Sequence, residues 1–126
     1  MNKILDNEIW ILIDKIDYHL SWKYWSFLYE IHENLFFNIE KYNELLKAIK
    51  SLKNNKINPC LIWNLFILNI LEKITYLYDT LRDLYVHKNK MNINIDEFYT
   101  YILELKYEIE SLFNDNIIED YNWNKY

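Results

Sequence analysis

The chain has no glycine, one proline, one cysteine and one arginine in 126 residues. Without glycine it lacks the residue that tight hairpin turns and phosphate-cradling loops require, which argues against a sheet protein and against a nucleotide-binding α/β fold. Cys60 stands alone, so neither an intrachain disulfide framework nor a cysteine-based zinc site can form, and a reducing cytoplasm is the expected setting. Long apolar runs are also missing. The longest, Cys60 to Leu71, is interrupted by Asn64 and Asn69 and stops at Glu72, short of the roughly 20 residues that a membrane-spanning helix needs. Lys3, Asp6 and Glu8 break up the first apolar residues and no small-residue cleavage site follows them, which is unlike a secretory signal. No membrane association is expected.

What the chain does contain is apolar bulk. A hydrophobic share of 52% and an aromatic share of 18% are ample for the packed core of one domain of this length. Leu, Ile, Phe, Tyr and Trp supply it, while Val and Ala are nearly absent. The excess of Lys, Asn, Ile and Tyr resembles an AT-rich coding bias, so position carries more meaning than abundance. A formal net charge of -5 excludes a protein that coats nucleic acid by neutralising many phosphates, though not one with a local basic site.

Apolar residues recur at helical spacing almost throughout, which predicts an all-α protein, a compact bundle of four to five helices over residues 1–114 with a tail over 115–126. A first helix is expected from about Ile4 to Leu20, with Ile9, Leu12, Ile13 and Ile16 on its apolar face. Ser21 is placed to cap a second, from Trp22 to about Lys53, bent near Asn38. Its core candidates are Trp25, Leu28, Tyr29, Ile31, Leu35, Phe36, Leu45, Leu46, Ile49 and Leu52. Asn54 to Asn58 ends it. Asn58-Pro59 then has the form of an Asx cap with proline in the first turn, opening a third helix that runs to about Val86. That helix is apolar on nearly every face, with Leu61, Trp63, Phe66, Ile67, Ile70, Ile74, Leu77, Leu81 and Leu84, so it is expected to be central. After a polar loop, Asn94 and Glu97 form a capping-box pattern for a last helix, Ile95 to about Asn114, whose stripe is Phe98, Tyr101, Ile102, Leu105, Ile109 and Leu112.

Against thirteen lysines the single arginine, Arg82, stands out. A planar guanidinium grips a phosphate at two points, which an ammonium cannot do. His87, five residues on, offers an imidazole able to move a proton near neutral pH. Five residues on a regular helix turn through about 500°, which leaves the two side chains about 140° apart around the axis. Either the helix ends or bends between them, or a partner subunit completes the site.

The run Leu81-Arg82-Asp83-Leu84-Tyr85-Val86-His87 resembles the signature of the HEPN superfamily, in which arginine is followed by a small polar residue and then by histidine after four to six positions. The preceding apolar helix and the all-helical setting resemble that family too. The resemblance implies a HEPN-like bundle and a metal-independent endoribonuclease that needs no cofactor, in which the RNA's own 2′-hydroxyl attacks the adjacent phosphate. On this reading Arg82 and His87 are catalytic, Asp83 orients Arg82 or the backbone, and Lys73, Lys88 and Lys90 guide the RNA substrate. It also implies a symmetric homodimer and a role as a toxin or in phage defence. In a toxin branch of the family a tyrosine two residues after the histidine is modified by the antitoxin. Asn89 stands there, so that form of control is not implied.

Plainer readings stand beside this one. Asp79 lies three residues before Arg82, an intrahelical ion-pair spacing, and a histidine near a helix C-terminus is favoured by the helix dipole. Glu30-Ile31-His32-Glu33 has metal-ligand residue types, but one turn of helix cannot close a site. Lys47, Lys50, Lys53 and Lys56 recur every three residues, as a solvated helix face does. His19, beside Trp22 and Trp25, is of a type that stacks a base, yet core packing explains those indoles better. The alternative to a nuclease is a non-enzymatic helical interaction protein, such as an antitoxin, inhibitor or phage-encoded regulator, that binds its partner through an acidic surface and the aromatic tail.

Overall fold

The computed structural model describes residues 7–54, 59–88 and 90–113, and of 59–69, 71 and 113 it describes the backbone only. Ile4, the Asn58 cap, Asn89, the tail from Asp115 to Tyr126, and the side chains of Leu61, Trp63, Phe66 and Ile67 lie outside the described residues. All regular structure among the described residues is helical: α1 Asn7–His19, α2 Phe27–Asn34, α3 Ile39–Asn54, α4 Pro59–His87 and α5 Ile95–Phe113. The expected all-α bundle is therefore observed.

One expectation is corrected. The segment from Trp22 to Lys53 is a loop and two helices rather than one bent helix. Helix α2 starts at Ser26, not Ser21. The Ser26 backbone is extended (φ -74, ψ 166), and its hydroxyl accepts the Tyr29 N–H, satisfying a donor that the first turn leaves free. Helix α2 stops at Leu35, which takes the left-handed conformation (φ 50, ψ 41) usual for glycine at this place. Its N–H bonds the Ile31 carbonyl and the Phe36 N–H bonds that of Glu30. Asn38 then opens α3, its side-chain oxygen accepting the N–H groups of Glu40 and Lys41. The polar and apolar spacing on either side of this joint is helical, so periodicity alone does not reveal it. Trp22, Trp25 and Phe36, expected in the core, accordingly leave it and are exposed.

Helix α3 packs against α1 and α5, and α5 in turn against α4. Ile9, Ile13 and Ile16 of α1 meet a core that includes Leu45, Ile49 and Leu52 of α3 and Phe98, Ile102, Leu105, Ile109 and Leu112 of α5. Lys47 and Lys50 face water. An aromatic group fills the space between α2, α3 and α5: Phe37 lies parallel to Tyr101 at 4.8 Å between centroids and edge-on to Phe27 at 5.4 Å. Tyr42 is buried among them, and its oxygen lies 2.7 Å from Glu104 Oε1 and 3.0 Å from the Tyr101 carbonyl. Burial, reinforced by the Glu104 hydrogen bond, holds this phenol far above its ordinary pKa, so it stays a neutral donor.

On α4 the described core residues include Ile70, Ile74, Leu77 and Leu84. Leu77 and Leu84 are seven residues apart and each 1% exposed. Burying each of them contributes about 2 kcal/mol, which fixes the rotational phase of the helix. The stretch from Asn92 to Asn94, before α5, is also tied down. The Asn92 amide accepts the Phe37 N–H at 2.7 Å and donates to the Phe37 carbonyl at 2.9 Å. Asn94 and Glu97 make the expected capping box, the Glu97 N–H bonding Asn94 Oδ1 at 2.8 Å and the Asn94 N–H bonding Glu97 Oε1 at 3.3 Å. Because Phe37 is buried, Asn92→Ala should destabilise the fold by about 1–3 kcal/mol, read as a lower urea midpoint at unchanged m-value. An unchanged midpoint would show that the joint does not depend on this amide.

Candidate active site

Helix α4 runs unbroken through His87, and Lys88 ends it in a left-handed conformation (φ 58). No helix end separates Arg82 from His87, so the turn of about 140° between them stands. The solvent-facing side of the last turns carries Asp79, Arg82 and Val86, opposite the buried Leu77 and Leu84. The Arg82 side chain is 72% exposed, and its only close carboxylate among the described residues is Asp79, 3.7 Å from Nη2. An exposed pair at this separation holds the guanidinium weakly and leaves it available to a phosphate.

The residues proposed from sequence divide into three environments. Arg82 lines a shallow, mostly apolar groove with Tyr78, Leu81, Tyr85, Ile95, Tyr99 and the carboxylate-bearing Asp96. The adjoining concavity shares Tyr85 and Ile95 and is lined by Lys88 and Lys90, both exposed. Asp83 and His87 are also exposed, but they lie on the other flank of α4, four residues and about 40° apart, and neither lines these grooves. Lys73 is buried. Its Nζ lies 3.3 Å from Glu72 Oε1 and 5.5 Å from the Trp22 ring centroid, so it supports an indole rather than standing open to solvent. Among the described residues, no three His, Cys, Asp or Glu side chains converge as metal ligands.

Two constellations escape a reading of the sequence. The first is aromatic. The Trp22 ring stands edge-on to Tyr76 at 4.8 Å and tilted to His32 at 5.1 Å, and His32 Nδ1 lies 3.0 Å from the Tyr76 oxygen. Burial raises the Tyr76 phenol above its ordinary 10.0, and the charges of Asp83 and Glu33 push the same way. His32 and Tyr76 are 44 residues apart in the chain, so no local pattern announces them. The second is His19, buried, whose Nδ1 accepts the Phe27 N–H at 3.2 Å while Nε2 lies 3.0 Å from Glu44 Oε1. The two contacts fix one neutral tautomer, with the proton on Nε2. His19 is thus a structural joint between α1, α2 and α3.

No family model, curated protein or solved structure matches the chain. No helix among the described residues is long and apolar enough to cross a membrane.

Burial holds the His19 pKa below the ordinary 6.5 against the opposing pull of the Glu44 hydrogen bond. The unfolded chain therefore takes up this proton first, so the contribution is complete above 6.5 and is lost as pH falls below it. Stability should decline on acidification from neutral to weakly acid pH by at most about 1.4 kcal/mol per pH unit from this group. In His19→Gln, which keeps an acceptor and a donor, denaturant titrations should show that slope flattened. An equal slope in both proteins would assign it to other groups.

Proposed function

We propose that the protein is a metal-independent endoribonuclease of the HEPN type that acts as a homodimer, with a role as a toxin or in phage defence. What supports this reading is the placement of Arg82 and His87 on opposite flanks of one continuous helix face, both exposed and neither committed to the core. In an antiparallel, twofold crossing of two α4 helices, a point midway between Arg82 and His87 sits on the axis, level with Leu84 and Tyr85. The Arg82 of one copy then lies level with His87 of the partner subunit. Between the two residues on that face lie Val86, 59% exposed, and the exposed Asp79 and Asp83. A second copy would assemble two equivalent sites at once.

In each site the ribose 2′-oxygen attacks the adjacent phosphorus, the bond to the 5′-oxygen breaks, and a 2′,3′-cyclic phosphate and a 5′-hydroxyl are left. The guanidinium of Arg82 stabilises the charge that builds on the phosphate oxygens. His87 takes the 2′-proton or returns one to the leaving 5′-oxygen. Lys88 and Lys90, beside the Arg82 groove, supply positive charge in an otherwise acidic protein.

Arg82→Ala and His87→Ala should each abolish RNA cleavage and leave the thermal melt nearly unchanged. Mixed in equal amounts and allowed to exchange subunits, the two inactive proteins should recover about one quarter of wild-type activity, because half the dimers are hybrids and each hybrid holds one intact site. Recovery identifies a shared site. Absence of recovery would refute it, and an RNA that is never cleaved by wild-type protein would favour the non-enzymatic interaction protein.

A further inference from the structure

The flank of α4 that carries His87 also carries the aromatic cluster. Tyr76, Asp83 and His87 follow one another at spacings of seven and four residues, within about 40° of a single line along the helix. Tyr76 lies about 16 Å from His87 along that line, eleven residues at 1.5 Å each. At its far end Trp22 is 47% exposed, while Tyr76, His32 and Lys73 hold its ring from below and beside. The loop bearing this indole is pinned at several points: the Ser21 hydroxyl donates to the Tyr18 carbonyl and accepts the Lys23 N–H, and the Ser26 hydroxyl donates to the Ser21 carbonyl.

A half-exposed indole set in a frame of imidazole, phenol and ammonium is a poor seat for an apolar protein surface, because docking one there would strip water from those polar groups. It is a good seat for a nucleobase, which offers a flat face to the ring and polar edges to the frame. Its immobility matters as well, since a ring that is already positioned loses little freedom on binding. We infer that Trp22 is a base-stacking subsite for single-stranded RNA, set a few nucleotides from the scissile phosphate along the Tyr76–Asp83–His87 line. This rests on the ribonuclease reading for the position of the scissile phosphate, but the stacking itself does not depend on cleavage.

The electrostatics give the subsite a signature. Lys73 is matched by Glu72, and Asp83 lies on the strip itself, so few phosphates are neutralised there. Affinity comes mainly from stacking, and its salt dependence is shallow. Between low and physiological salt the Kd should change by about fourfold or less, against the thousandfold or greater change seen when many phosphates are paired.

The test uses the full chain and a short single-stranded RNA whose 2′-hydroxyls are all methylated, which the proposed chemistry cannot cleave. Binding is followed by fluorescence anisotropy of a label on the oligomer. Wild-type protein should bind it with this shallow salt dependence. Trp22→Ala should raise Kd about tenfold, and Trp22→Phe, which keeps a ring, should stay within about twofold of wild type. Thermal melts of both variants should match wild type, since the residue is half exposed. No binding by wild type, a steep salt dependence, or an unchanged Kd in folded Trp22→Ala would each overturn the subsite. Arg82→Ala reports on the other reading separately, through cleavage of unmodified RNA, which it should lose. If Arg82→Ala still cleaves, the nuclease assignment falls while the subsite stands.

Discussion

A helix that does not break between residues 59 and 87 is the constraint from which the functional geometry follows. Once Leu77 and Leu84 are buried, every other side chain on the last four turns of α4 has its direction set by the helical repeat. Arg82 is turned toward the Tyr85 groove, and His87 toward the flank shared with Asp83 and Tyr76. The exposed ion pair with Asp79 is too weak to compete with that burial. The two residues best suited to phosphodiester chemistry are thereby kept from meeting within one chain. Under the proposed ribonuclease reading, a shared site between two copies would use both.

The absence of glycine is felt at the joints rather than in the helices. Trp25, Leu35 and Lys88 take left-handed backbone conformations that glycine would occupy without strain, each at a cost of about 1–2 kcal/mol. Side-chain hydrogen bonds offset that cost nearby. Ser26 and Asn38 cap the helices that follow two of these joints, and the Lys41 ammonium bonds the Trp25 carbonyl while pairing with Glu30 at 3.1 Å. After Lys88, Asn92 and Asn94 hold the connection to α5. Among the described residues the joints around Trp25 and Leu35 therefore have defined shapes, and the loop that presents Trp22 is held in place. Such order favours binding, because little conformational freedom remains to be lost.

His19 shows how a residue type that suggests chemistry can be committed to architecture. It accepts a backbone N–H from the start of α2, which needs Nδ1 unprotonated, and reaches a carboxylate on α3 through Nε2. His32 is different: its side chain is half exposed beside Trp22 and Tyr76, where it helps to frame an open ring. Of the three histidines, one ties helices together, one frames an aromatic surface and one ends the helix that carries Arg82.

Much of this was legible in the residue order. The all-helical class follows from apolar spacing, the start of α5 from the Asn94 and Glu97 pair, and the separation of Arg82 from His87 from five steps of a regular helix. All of these depend on groups within a turn or two of one another. The division of α2 from α3 was not legible, because it rests on a left-handed Leu35 in a stretch whose spacing stays helical, and neither was the exposure of Trp25 and Phe36. The burial of Lys73 under Trp22 and the meeting of His32 with Tyr76 join residues 44 to 51 positions apart. Local order decides what each helix is and which way its side chains point; only docking of the helices decides which residues become neighbours, since those contacts depend on packing across the whole core.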